Sequence, residues 1–235
     1  MEENNQNNVN AEDIKKEAKE TVNQVKDSFK NVNMKEETEK TKKYFSRFLK
    51  EPITVIKEIA HDKNNSFFKT AIVLLVVWIL VSVLVSIINL ITSVFSVIFN
   101  IGFEFVFQTI FRNLLNILKS LVVPIISVAV LSTAIYFTNT KNKKSFLTTV
   151  VTVMAAKIPV VLASIISIIT IIPYIGNLAV PVSSLLGLVS TVLTFFAIKS
   201  LNDEESNDQA VKKFLIVEGI YVLVSFVLSF LTIYI

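Results

Sequence analysis

The chain has 235 residues, 52% of them hydrophobic, with a formal net charge of +4. It has no cysteine and one histidine, His61, which excludes disulfides, thiol nucleophiles and Cys-based or paired-His metal sites. A charge so small and dispersed gives no footing for nucleic acid. No Gly-rich phosphate loop, HExxH helix or GxSxG elbow is present, so no enzymatic activity, cofactor or metal is expected.

The charge is segregated. Residues 1–66 hold 13 of the 23 Lys/Arg and 13 of the 19 Asp/Glu, and the rest of the chain is nearly continuous apolar sequence. The start, MEENNQNNVN, is polar low-complexity sequence without the basic and apolar regions of a secretory signal, so the first apolar run is expected to act as an uncleaved signal-anchor. From Asp13 to about Met34, Ala18, Val22, Val25, Phe29 and Val32 recur at spacings of four and three. This reads as a solvated, partly helical tail, or alternatively as a short associating helix. Next, KKYFSRFLKEPITVIKEIAHDKNN sets Tyr44, Phe45, Phe48 and Leu49 beside basic residues. After Pro52, which suits a first helical turn, Ile53, Ile56, Ile59 and Ala60 line one face. A short lysine-bearing amphipathic helix of this kind is expected in the headgroup region, with His61 on its surface.

Five apolar runs follow, at about Phe67–Thr92, Leu114–Phe137, Phe146–Ile172, Ile175–Ile198 and Phe214–Ile235, each near the ~20 residues that a bilayer core requires. The gaps test this reading. Lys50, Lys57, Lys63 and Lys69, then Lys141, Lys143 and Lys144, then Lys199, Lys212 and Lys213 fall on one side, against Arg112 alone on the other. The positive-inside bias therefore predicts a multi-pass cell-membrane protein with its N-terminus cytoplasmic and its C-terminus outside. Backbone groups in hydrocarbon must be paired within each segment, so the spans are helices. The acidic loop NDEESND at 202–208 reads as a solvated turn, with Asp208 capping the helix that follows.

Three features stand out within the apolar region. Between the first two runs polar residues recur every fourth position, and Glu104, Gln108 and Arg112 are candidates for one hydrogen-bonded row. Residues 93–113 are read as an outer interfacial or re-entrant helix. Lys157 lies ~16–18 Å past the inner end of the third run by helical rise, and Glu218 enters the fifth run from the same side, so the two are a candidate intramembrane polar pair. Pro159 frees the Ala155 carbonyl and should kink the helix beside Lys157. In the fourth run, Ala179, Ser183, Gly187 and Thr191 form a small-residue ridge suited to close helix packing.

The expected fold is thus all-α: a polytopic integral membrane protein of five transmembrane helices with an extra outer interfacial helix. It divides into a charged cytoplasmic tail over 1–43, disordered to weakly helical, an amphipathic juxtamembrane segment over 44–66 and a membrane domain over 67–235. This layout resembles the bacterial branch of the Yip1 family. The segments that carry the likeness are YFSRFLKEPITVIKEIA, KKSFLTTVVTVMAAKIPVVLASII and IKSLNDEESNDQAVKKFLIV, and the likeness covers roughly residues 44–235. It implies a membrane-embedded, non-enzymatic scaffold or membrane-organising role. The expected partners are membrane lipids, proteins reached through the cytoplasmic tail, and a second copy of the chain. A small transporter or channel subunit, with a polar path around Lys157 and Glu218, is the alternative reading.

Overall fold

A computed structural model describes residues 19, 23, 34–62, 64, 66–139, 144–171, 176–202 and 205–231. Residues 1–10, most of the expected 13–34 helix, Lys63, Lys141, Lys143, the loop 172–175, Asp203, Glu204 and the end of the fifth run at 232–235 lie outside the described residues.

The described chain is helical throughout, without a strand. In order, the helices are α1 (Met34–Lys50), α2 (Pro52–His61), α3 (Phe68–Asn100), α4 (Val106–Thr138), α5 (Phe146–Ala156), α6 (Ile158–Ile166), α7 (Gly176–Ser200) and α8 (Asn207–Leu231). Short 3-10 turns at Phe103–Phe105 and Ser167–Ile171 complete it. Among the described residues, four stretches are long and apolar enough to cross a membrane: Phe68–Asn100, Phe103–Thr138, Phe146–Ile169 and Ala179–Ser200. The helix α8 is not one of them; Lys212, Lys213 and Glu218 fall in its first half, and the largely apolar residues 232–235 after it lie outside the described residues.

The longest elements are α3 and α4, an antiparallel pair of 33 residues each. Both outrun the apolar stretches read from sequence, which stop at Thr92 and start at Leu114. In the extra turns, polar side chains find their partners on their own backbone. The Thr92 hydroxyl donates to the Ile88 carbonyl at 3.0 Å, and the Asn100 and Asn113 amides donate to the Ser96 and Thr109 carbonyls at 2.9 Å. Residues 93–113 are therefore the end of α3, a turn and the start of α4, rather than a helix of their own. Gly102 makes the turn with φ 132° and ψ 160°, a region that glycine alone occupies without strain.

The tightest packing lies at the α1–α2 end. There α2 buries Val55, Ile56, Ile59 and Ala60 against α5 and α7. The expected apolar face is present with Pro52 at its first turn, but protein covers it, not headgroups. Above it, α1 lies on α2 and α3, burying Tyr44 and Phe48 while Leu49 stays exposed. Two bonds from the Arg47 guanidinium to the Glu58 carboxylate, at 2.5 and 2.6 Å, fix α1 to α2. Burial, with the Glu58 charge adding to it, pushes the Tyr44 phenol well above its ordinary value, so it stays neutral in the core.

The same end holds a polar knot. The Asn202 amide donates to Asn139 Oδ1 at 2.5 Å, Lys213 donates to the same oxygen at 3.3 Å, and Lys213 also pairs with Glu205. Glu205 is thus a buried ion-pair partner joining the ends of α4, α7 and α8, not part of a solvated turn. The cap of α8 is Ser206, whose hydroxyl accepts the Gln209 N–H at 3.3 Å, and not Asp208. The Gly187 ridge does not mark a close helix crossing either, since a Cβ there would meet nothing within 4 Å.

Asp62, just after α2, gathers the turn into α3. Its carboxylate accepts the Asn64 N–H at 3.0 Å and both the N–H and hydroxyl of Ser66 at 2.6 Å. Burial would raise this carboxyl, but these bonds and one from the Phe67 N–H outweigh it and hold the group below the usual aspartate range.

Two outcomes are expected. Gly102→Ala should lower stability by about 1–3 kcal/mol through backbone strain, since no atom lies near the added methyl; a thermal melt in detergent measures it. The Asp62 turn should be fully stable above the ordinary aspartate value of 3.8 and loosen as pH falls below it. The Ser66 amide resonance should then hold steady above about pH 4 and move below it, and Asp62→Asn should remove that transition.

Candidate functional site

The third of the four long apolar stretches is a broken helix, and Lys157 sits at the break. Lys157 ends α5 and begins α6 with φ −88° and ψ −1°. The cause is Pro159, which has no N–H to donate. The helix re-forms around the Lys157 carbonyl, which accepts the Val160 N–H at 2.9 Å and the Val161 N–H at 3.1 Å. The kink expected beside Lys157 is thus a full interruption. It leaves the Ala156 carbonyl without the Val160 N–H, its usual partner four residues on. The Ser190 hydroxyl of α7 supplies the missing donor at 2.9 Å, fully buried. An orphaned carbonyl there would cost about 1–3 kcal/mol, so the bond sets where α7 meets the α5–α6 junction.

The Lys157 side chain is 5% exposed and runs to α8. Its ammonium lies 5.0 Å from the centre of the Tyr221 ring, over the face. A desolvated cation on an aromatic face gains ~2 kcal/mol or more. Tyr221 in turn shares a hydrogen bond with Ser127 of α4 at 3.1 Å. One level of the bundle therefore carries a continuous polar contact from α7 through the break to α8 and α4.

Glu218 lies one turn before Tyr221 on α8, near enough to attract the Lys157 charge. No salt bridge joins the two among the described residues, and Glu218 Oε1 is buried without a hydrogen-bond partner. The structure thus brings the two candidate residues together but seats the lysine on the neighbouring ring. Ser132 Oγ on α4 is a second buried oxygen without a partner.

The candidate outer row divides. Glu104 is exposed in the turn, whereas Gln108 and Arg112 line a groove of about 870 Å³ between α3 and α4, facing Thr92, Ser93 and Ser96. No hydrogen bond links Glu104, Gln108 and Arg112 among the described residues. The outer surface of the same hairpin is aromatic, with Phe99, Phe103 and Phe107 all more than 75% exposed. An exposed aromatic surface beside a polar groove departs from the pattern of a water-soluble hairpin.

Tyr221, Ser127 and Ser190 are missing from the sequence reading. Tyr221 had a usable signal, its place three residues after Glu218 on one helix face. The pairing of Ser190 with Ala156 depends on the α6–α7 packing and had none.

No protein-family model, curated protein or solved structure matches this chain. The site is therefore read on its own geometry. Its groups hold one another, and neither the α4–α8 groove nor the α3–α4–α6 cavity beside it has Lys157 in its walls.

A double-mutant cycle tests the break. Ser190→Ala should destabilise by about 1–3 kcal/mol by orphaning the Ala156 carbonyl. With Pro159→Ala, which restores a donor to the helix, the loss should shrink and the cycle should be non-additive by 0.5 kcal/mol or more. Additive losses, measured by melting or denaturant titration in detergent, would contradict the assignment.

Proposed function

We propose that the chain is an integral membrane scaffold or membrane-organising protein of the Yip1-like kind, without enzymatic activity. Its N-terminal region meets membrane lipids or partner proteins on the cytoplasmic side. The observation that carries this reading is the docked α1–α2 pair. Its apolar face is spent on the bundle, so what it presents outward is charged: a shallow cleft of about 470 Å³ lined by Glu39, Lys42, Lys43, Ser46, Arg47 and Lys50. Arg47 is engaged by Glu58, which leaves the cleft lysines for an outside partner. Basic residues beside a cytoplasmic leaflet draw anionic headgroups and acidic protein surfaces alike.

The topology that accompanies this reading has five spans, with α8 as the fifth. In support, α8 packs antiparallel along α4, from the Lys213–Asn139 contact at one end to a groove shared by Leu115 and Leu228 near the other. It therefore runs alongside much of a helix long and apolar enough to cross. The 33-residue arms of the α3–α4 hairpin reach ~50 Å at ~1.5 Å per residue, beyond a ~30 Å core. Their Phe-rich tip then projects past the outer end of that core.

The orphan Glu218 oxygen favours a second reading, a transporter or channel subunit with a path past Lys157 and Glu218. The enclosure of Lys157 weighs against it.

Because the chain has no cysteine, single introduced cysteines report topology cleanly. Ser46→Cys should react with an impermeant maleimide only after the inner face is opened, and Glu104→Cys should react from outside in intact cells. Joint reversal of Lys42, Lys43 and Lys50 to Glu should deplete the proteins and anionic lipids captured with the chain in mild detergent, without moving its melting temperature. An unchanged captured set would remove the scaffold reading.

A further inference from the structure

We propose that the groove between α4 and α8 seats one acyl chain of an anionic phospholipid, with Lys119 holding the phosphate. The groove measures about 390 Å³, in the range of single-ligand sites. Its walls are apolar, with Val122, Ile126 and Val130 facing Val224 and Leu228. Toward its inner end the wall carries the Ser127–Tyr221 hydrogen bond, at the level of the Lys157 break. At the other end Lys119 forms no ion pair or hydrogen bond among the described residues. A lysine ammonium beside an apolar wall, without an anion, is an unmet electrostatic demand.

Depth fits a lipid. From Lys119 to Val130 the groove runs ~16 Å at ~1.5 Å per residue, close to half of a ~30 Å hydrocarbon core. From Thr138, at the α1–α2 end, Lys119 lies ~28 Å along α4, the depth at which a phosphate of the opposite leaflet sits. A second cavity, of about 330 Å³, meets the groove along the ridge of Lys119 and Val123. Its walls include Ser82, Ser86 and Asn116, whose hydroxyl and amide donors suit phosphate oxygens. An anionic head and an apolar tail are thus both accommodated where the two spaces join. A purely apolar occupant would leave Lys119 unmet, and a soluble anion would leave the groove unfilled.

This inference rests on the membrane reading above but not on the role given to the N-terminal helices. The test is native mass spectrometry of the full chain, released from micelles holding equal amounts of phosphatidylglycerol and phosphatidylcholine. The wild-type chain is expected to retain one phosphatidylglycerol in preference. Lys119→Gln should cut that preference about fivefold, the worth of one lysine against an anionic lipid, while Lys119→Arg keeps it. Ser225→Phe, which fills the groove, should reduce retention of both lipids. Melting temperatures of all variants should stay near wild type, since Lys119 has no protein partner to lose. Equal retention of the two lipids by the wild-type chain, an undiminished preference in Lys119→Gln, or full retention in Ser225→Phe would each overturn the proposal. The chain with Lys42, Lys43 and Lys50 reversed should keep its groove lipid, so failure of the scaffold reading and failure of this one are separable.

Discussion

An opened helix in apolar surroundings must find donors for the carbonyls it exposes, and this requirement organises the bundle. Pro159 interrupts the third apolar stretch, and the carbonyl left over at Ala156 is taken by Ser190 from α7. The residue at the break, Lys157, cannot reach water, so its ammonium lies on Tyr221 of α8. Tyr221 then places its hydroxyl on Ser127 of α4. Four helical elements are registered against one another at a single level by polar contacts. Hydrophobic burial supplies no comparable register between helices when lipid is as apolar as the side chains.

The second level lies at the α1–α2 end, where Asn139, Asn202, Lys213 and Glu205 tie three helix ends together. Between these levels sits most of the buried core, including Leu131, Ile135, Met154, Ile158 and Ile198. Beyond the break the bundle is looser, and α3 and α4 extend as a hairpin with polar side chains inside and phenylalanines outside. The two halves thus differ in kind. One is a tightly packed platform with a charged outer cleft, and the other leaves open grooves between its helices.

Much of the helical architecture was legible because apolar runs longer than ~18 residues have few alternatives. The apolar face of α2 and the disturbance at Pro159 were legible from helical spacing and proline chemistry. The helix ends at Asn100 and Val106 were not, because hydropathy does not register threonine and asparagine side chains that bond back to their own backbone. The placement of α2 against protein failed for a related reason, since an amphipathic pattern says that a face is covered but not by what. Lys157 and Glu218 were found as costly residues, yet the partner the lysine takes is an aromatic ring that carries no charge to mark it. Glu205 was misread because loop acidity says nothing of a lysine brought back by the next helix.

The site's chemistry is conservative: the lysine, the tyrosine and the serines satisfy one another, and the break is closed to the grooves beside it. The scaffold reading depends on that closure, because a water-filled break would make the same residues a conduit. Hydrogen–deuterium exchange of the protein in lipid bilayers measures it directly. The N–H groups of Lys157, Val160 and Val161, all bonded across the break, should remain protected as long as those of neighbouring residues in α5. Exchange of these three amides within the time of exposed loop residues would place water at Lys157 and contradict the account.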